Sequence, residues 1–214
     1  MAILAEDQAV CERFWEMLDR CPDLESLTME GVFPMALDGH QLCNGRWPKL
    51  KRLALGDIAV EWGLMNPLEP KRPFISFLEE HPQLKSLSLS RHTVDAALLA
   101  RVDPEALQIS SFSGTLPQLR ALHQMYSHLK SVTFREAIIT RDVSPMTIAD
   151  ILQRLPALNT LRVTFFLHSM YDSGNLLRSL IVSCPLLEHL ELTCAHKPSF
   201  QLVRLFNTYA YGIY

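Results

Sequence analysis

The chain has 214 residues, of which 48% are hydrophobic and 20% are charged, and its formal net charge at pH 7 is −3. This composition supplies enough apolar surface for a continuous core, which excludes an intrinsically disordered chain. The slightly acidic balance gives no general reason to expect binding to nucleic acid or to a membrane surface.

The sequence carries no recognisable targeting signal. The apolar run at residues 2–5 is too short for a signal peptide and is followed by Glu6 and Asp7. No apolar stretch is long enough to span a bilayer, and no Asn-x-Ser/Thr glycosylation acceptor occurs. We therefore expect a cytoplasmic or nuclear protein, with its five cysteines reduced and Cys194 packed as a small apolar side chain.

Taken in chain order, the predicted helices are recognised by apolar residues three and four positions apart. The first such stripe is Val10, Phe14, Met17, Leu18 and Cys21. Later helices are predicted after Pro73, Thr93, Thr115, Ser144 and Gly174, and a last one from Phe200. Thr93 is the predicted N-cap of its helix. Residues 33–46 are expected to be irregular, and 57–73 and 166–174 are expected to be loops.

Between these helices a proline is followed by leucines in the pattern x-Pro-x-Leu-x-x-Leu-x-Leu. The two clearest copies are Cys21 to Met29 and Cys184 to Leu192, with Cys194 following the second. Seven copies are predicted, with strand cores that begin at positions 27, 53, 87, 107, 132, 161 and 190; the two weaker copies are Leu107 to Ile109 and Leu129 to Phe134. This spacing is close to the roughly 20–29 residues of a leucine-rich repeat.

Since one repeat cannot bury its apolar face alone, the copies must stack on each other. The sequence therefore predicts an α/β leucine-rich-repeat horseshoe (a solenoid) with a parallel concave sheet and helices on the convex side. Residues 1–214 are expected to form a single domain of about seven irregular repeats. Leu53, Leu87, Leu161 and Leu190 are predicted to be buried in one ladder.

With these motifs, the chain resembles the repeats of fungal-type F-box/leucine-rich-repeat proteins, over residues 10 to 200. The resemblance implies that the repeats recognise a protein substrate or peptide for a cullin-type ubiquitin ligase. Residues 1–20 lack the Leu-Pro-x-Glu opening of an F-box, so contact with the ligase adaptor would need an F-box upstream. Two alternatives stay open: a leucine-rich-repeat scaffold unrelated to ubiquitin, and a repeat protein of the GTPase-activator kind.

No catalytic motif stands out, and we expect neither an enzyme nor a cofactor. His189, Cys194 and His196 are residue types that can ligate a metal, but their spacing without a fourth ligand is a weak signal. Ordinary structural roles explain them better.

The predicted binding surface is the concave face, where residues between the buried leucines point outward. Small hydroxyl side chains dominate this face, and arginines outnumber its acidic residues. The candidate protein-binding residues are Arg52, Arg91, Arg135, Arg162, His189 and Glu191. Arg135 and Arg162 are predicted to occupy nearly equivalent slots in adjacent repeats. Their guanidinium groups would suit the carboxylates or phosphates of an acidic peptide.

Overall fold

The computed structural model describes residues 2–30, 39–58, 72–166 and 170–194. The chain divides into two compact units, Met1–Met125 and Tyr126–Tyr214. Both units combine helices with parallel strands, so the predicted α/β class is confirmed. The prediction of a single domain over residues 1–214 stays a prediction. Among the described residues, no helix is both long and apolar enough to cross a membrane.

The first unit alternates helices and strands. In chain order they are α1 (Ala2–Asp19), β1 (Ser26–Met29), α2 (Gly39–Asn44), β2 (Arg52–Leu55), α3 (Pro73–Glu79), β3 (Ser86–Leu89), α4 (Ala96–Leu99), β4 (Ser111–Gly114) and α5 (Leu116–Ala121), followed by a short 3-10 helix, His123–Met125. The strands lie in the order β1-β2-β3-β4, and each pairs in parallel with the next. The short helix α2 occupies part of the segment expected to be irregular, and residues 59–71 of the predicted long loop lie outside the described residues.

The second unit is built around one long strand. Its elements are β5 (Ser131–Phe134), β6 (Ile138–Ile139), α6 (Pro145–Gln153), β7 (Thr160–Phe166), α7 (Met170–Ser183) and β8 (His189–Cys194). β5 pairs with the first half of β7, β6 pairs with its last two residues, and β8 pairs along its length. The helix expected from Phe200 lies outside the described residues.

A proline turn leads into most strands. The amide of Leu50 donates a hydrogen bond to the carbonyl of Trp47 (2.9 Å), and Leu84 donates in the same way to His81 (2.9 Å). The same bond closes the turns Cys21–Leu24, Leu155–Leu158 and Cys184–Leu187. Proline suits the second position of such a turn because its φ angle is already set. The recurring motif is therefore a turn followed by a strand.

Successive repeats are also joined where each strand begins. The carbonyl of Glu25 accepts hydrogen bonds from the amides of Lys51 (2.8 Å) and Arg52 (3.1 Å) in the next repeat. The carbonyls of Lys51 and Lys85 in the first unit, and of Lys130 and Asn159 in the second, each receive two amides in the same way. A shared carbonyl at each of these five steps sets the register between the two strands that it joins.

The core of the first unit is a ladder of side chains in equivalent strand positions. Leu27, Leu53, Leu87 and Phe112 face one another across β1 to β4, and all are buried. Burial of Leu53 and Leu87 is thus confirmed, as is that of Leu161 in β7. The prediction for Leu190 is wrong, because its side chain is 37% exposed. Leu190 faces Leu161 from β8, and within the described residues β8 has a strand neighbour only on that side.

The predicted register of the fourth repeat is also wrong. The sequence placed the strand core at Leu107 to Ile109, whereas β4 begins at Ser111 and Phe112 faces Leu87. The phenyl ring of Phe112 is larger than leucine, and Gly114 occupies the next inward position. A Cβ atom at Gly114 would lie 2.5 Å from the end of this ring. A phenylalanine and a glycine thus fill the two inward positions that leucines fill in β3. For this reason the leucine pattern is absent from the sequence of β4.

The predicted stripe of α1 is turned by one residue. Val10 and Met17 are exposed, whereas Trp15 and Leu18 are buried and Cys11 and Phe14 are partly buried. A stripe containing Trp15 buries more apolar area than one containing Val10 and Met17, and burial of aromatic surface dominates such choices.

Two later helices also differ in detail from the prediction. Asp95, not Thr93, caps α4, since its carboxylate accepts from the Ala97 amide (2.9 Å). Thr93 is buried and donates its hydroxyl proton to the carbonyl of Gly56 (2.8 Å). The helices expected after Thr115 and Ser144 are α5 and α6, and these two residues are their N-caps. In α7, Leu177, Leu180 and Cys184 are buried, but Ile181 is exposed.

A buried histidine joins α3 to the turn before β2. His81 Nε2 accepts a hydrogen bond from the amide of Trp47 (3.2 Å), and Nδ1 lies 2.6 Å from the carbonyl of Phe77. Since Nε2 is an acceptor, Nδ1 carries the proton and donates to Phe77, so the ring is neutral. Burial lowers the pKa of His81, and the nearby Arg46 guanidinium acts in the same direction. Trp47 in turn donates its indole N–H to the Leu18 carbonyl (3.1 Å).

Candidate functional site

The exposed side of the strands carries the predicted polar residues. Burial alternates along β2, β3, β5 and β7, so that every second side chain is turned away from the core. Ser86, Ser88, Ser131, Thr133 and Thr160 all lie in these outward positions and are partly exposed. The alternation follows from strand geometry, in which successive side chains point to opposite faces. These small hydroxyl residues are ordinary for an exposed strand face, so the charged residues and the exposed apolar residues are the better candidates for binding.

Two of the candidate arginines belong to the first unit. Arg52 begins β2, whereas Arg91 follows the end of β3, and both are exposed. Because β2 and β3 run in parallel and Arg52 pairs with Ser86, the two arginines lie toward opposite ends of these strands. The Arg91 Nε–H donates to His92 Nε2 (2.9 Å). They do not form one cluster.

Three of the candidates meet in the second unit. Arg162, His189 and Glu191 line an open pocket of about 660 Å³ over the first part of β7 and β8. Thr160 faces His189, and Arg162 faces Glu191, in the strand register. The Arg162 Nε–H donates to Glu191 Oε2 (3.1 Å), and both side chains are mostly exposed. We call this pocket, with Thr160 and Glu188 on its wall, the β7–β8 pocket.

The expected pairing of Arg135 with Arg162 does not follow from the register. Thr133 is the residue of β5 that faces Arg162. Arg135 lies two residues further along, which is about 6–7 Å at the usual rise of a strand. Residues that face each other on β5 and β7 are 29 positions apart in the sequence, as Thr133 and Arg162 are. Arg135 and Arg162 are only 27 positions apart, so they do not face each other. Arg162 has its carboxylate neighbour in β8 instead.

Sequence analysis missed Glu188, which lines the β7–β8 pocket. It stands immediately before its strand, a position occupied by Glu25 and Lys51 in the first unit. There the Lys51 ammonium donates to Glu25 Oε1 (2.7 Å), and this bond lowers the pKa of the Glu25 carboxyl. The residue before β1, β2, β3, β5 and β8 is charged and exposed, so this position was a signal for charged surface residues, although the prediction followed only the residues between the leucines.

Sequence analysis also missed an apolar pair at the other end of β7. Ile139 of β6 faces Phe166 of β7, and their side chains are 44% and 40% exposed. Their neighbours Ile138 and Phe165 are buried. The signal was the sequence Phe165-Phe166, since two adjacent residues of one strand cannot both face the same core.

The metal and cysteine predictions concern residues that lie partly within the described ranges. Among the described residues, no group of three or more His, Cys, Asp or Glu side chains is arranged to hold a metal ion. His196 and the side chain of Cys194 lie outside the described residues. Cys11, Cys21, Cys43 and Cys184 are thiols rather than halves of disulfide bonds, and burial raises the pKa of Cys184 to about 11.

No family model matches the chain, and no curated protein matches it significantly.

Proposed function

We propose that this chain is a non-enzymatic protein-interaction module, and that its partner contacts the exposed face of the parallel strands. The observation that carries the proposal is the β7–β8 pocket, where Arg162, His189 and Glu191 meet on one open surface. The polar groups of this pocket are held by paired strands, so binding a partner costs little ordering of the backbone.

The recurring turn and strand support the finer architecture that the motif predicts. At three steps in the first unit and two in the second, one carbonyl accepts two amide hydrogen bonds from the next repeat, and equivalent side chains form ladders. Stacking of this kind is the basis of solenoid folds, which use their sheet face for recognition. We therefore propose that the repeats stack into a leucine-rich-repeat horseshoe. The resemblance to F-box/leucine-rich-repeat proteins adds the role of substrate recognition for a cullin-type ubiquitin ligase.

The test is quantitative affinity capture from cell extract with the intact chain and a charge-reversed variant. An Arg162→Glu/His189→Glu double variant should change the captured amount of every partner that binds here, because it removes the cation of the Arg162–Glu191 ion pair and places two further negative charges beside Glu188 and Glu191. Arg178→Glu is the control, since Arg178 is an exposed arginine of α7 outside the pocket. Equal capture by all three proteins would refute binding through this face.

The ubiquitin part of the proposal has its own test. Partners captured through the β7–β8 pocket should live longer in cells that lack this protein, as measured by pulse–chase labelling. Unchanged lifetimes would favour the scaffold unrelated to ubiquitin.

A further inference from the structure

The exposed face of β7 changes its chemical character along the strand. Arg162, Thr164 and Phe166 point outward in succession, and the residues between them are buried. β7 has seven residues, whereas β1 to β5 have four each. The additional length is paired with β6 on one side and with the end of β8 on the other. A charged end and an apolar end are thus held on one rigid strand.

The apolar end is a pair of large side chains in a fixed position. Phe166 and Ile139 face each other across two paired strands, and both are exposed to about the same extent. The Thr140 amide (3.0 Å) and hydroxyl (3.2 Å) both donate to the Phe166 carbonyl, which holds the two backbones together. A partner that covers this pair gains the free energy of apolar burial without ordering the backbone first.

The charged end favours a cation over an anion. The β7–β8 pocket contains Arg162, Glu188 and Glu191, so one positive and two negative charges leave a net charge of −1 when His189 is neutral. The ion pair between Arg162 and Glu191 offsets one charge of each sign, so the excess negative charge of the pocket is that of Glu188. Charge complementarity therefore selects a lysine or arginine on the partner, contrary to the acidic peptide expected from the arginines alone.

The distance between the two ends suits an extended peptide. Arg162 and Phe166 are four residues apart on one strand, which corresponds to about 13 Å at 3.3 Å per residue. In an extended peptide, residues i and i+4 point to the same side and span the same distance. One such peptide can therefore reach both ends at once, with its intervening residues over the hydroxyl groups of Thr133, Thr164 and Thr193.

We propose that this face binds an extended peptide segment with a large apolar residue and a lysine or arginine four positions apart. The apolar side chain packs on Phe166 and Ile139, and the cation enters the β7–β8 pocket beside Glu188 and Glu191. The inference rests on the proposed function, and it specifies the chemistry of the partner.

The test is selection of a random 12-residue peptide library displayed on phage against the purified full chain. Enriched peptides should share an apolar residue and a lysine or arginine at a spacing of four. A synthetic peptide of the enriched sequence, measured by fluorescence anisotropy, should bind Ile139→Ser about fivefold or more weakly, as for loss of one apolar anchor. Ile181→Ser is the matched control, because Ile181 is also 44% exposed but lies on α7.

A second variant tests the charged end. Glu188→Lys/Glu191→Lys changes the charge of the pocket from −1 to +3, so selection should shift from basic to acidic peptides. Both substituted side chains are exposed, and thermal melts verify that the variants are folded.

The possible failures are distinguishable. Enriched peptides without this spacing, or equal binding to Ile139→Ser and Ile181→Ser, overturn the inference but leave the proposed function standing. Absence of any enriched peptide also overturns the inference. The proposed function falls only if capture of cellular partners is insensitive to Arg162→Glu/His189→Glu.

Discussion

Substitution of Gly114 by alanine tests how the fourth repeat fits into the core of the first unit. An alanine Cβ at this position would lie 2.5 Å from Phe112 Cζ and 2.8 Å from Gln118 Oε1. Ordinary contacts between carbon atoms lie at about 3.5–4.0 Å, so the ring would have to move by about 1 Å. Phe112 and Gln118 are both buried, and the Gln118 side chain is held by hydrogen bonds to the Ser90 carbonyl and the Thr115 amide.

The expected loss of stability combines two opposing effects. Overpacking of a dense core costs about 1–3 kcal/mol. Replacing glycine by alanine restricts the unfolded chain, which returns about 0.4–1 kcal/mol. We therefore expect Gly114→Ala to lower the free energy of unfolding by about 1–2 kcal/mol. Urea denaturation followed by tryptophan fluorescence measures this difference.

A double-mutant cycle separates the steric conflict from other effects of the alanine. Phe112→Leu alone should cost about 1 kcal/mol through lost burial, but it removes the end of the ring that the new Cβ meets. In that background Gly114→Ala should be nearly neutral, so the two changes should not be additive. Ser113→Ala on the same strand is the control and should change stability by less than about 0.5 kcal/mol. An unchanged stability for Gly114→Ala, or full additivity with Phe112→Leu, would refute the conclusion that the Phe112 ring occupies the space of a side chain at position 114.

The remaining predictions concern the ladder, the buried histidine and the thiols. Leu161→Ala should cost about 2–5 kcal/mol in urea denaturation, and Leu190→Ala less than about 2 kcal/mol, because Leu190 is partly exposed; equal losses would contradict the difference in burial between the two leucines. Since burial lowers the pKa of His81, its contribution to stability is complete above about pH 6.5, the usual histidine value, and is lost as the pH falls below it. Urea midpoints at pH 7.5 and 5.0 should differ less in His81→Gln than in the wild type, and an equal difference would show that the ring does not resist protonation. At pH 8 the native protein should react with iodoacetamide at the exposed Cys21 well before the buried Cys184, as mass spectrometry would detect; equal rates would indicate that Cys184 is accessible.

The candidate site was accessible to sequence analysis only in part. The alternation of strands identified Arg162, His189 and Glu191 as outward residues, because that rule is local. It could not show that Arg162 pairs with Glu191 rather than lying beside Arg135, since this depends on the register between strands. It passed over Ile139, and it placed Phe166 at the start of a loop, whereas Phe166 is the last residue of β7.

The sequence by itself determined the elements that depend on neighbouring residues. The turn from Trp47 to Leu50 and the caps at Thr115 and Ser144 follow from proline and hydroxyl chemistry within four residues. The tertiary structure decided what depends on competition for space. It placed Trp15 rather than Val10 in the core, and it set the fourth strand by the fit of Phe112 over Gly114. The fit of side chains in the core and the register of the strands depend on contacts between residues that are far apart in the sequence. A local sequence pattern therefore cannot predict them.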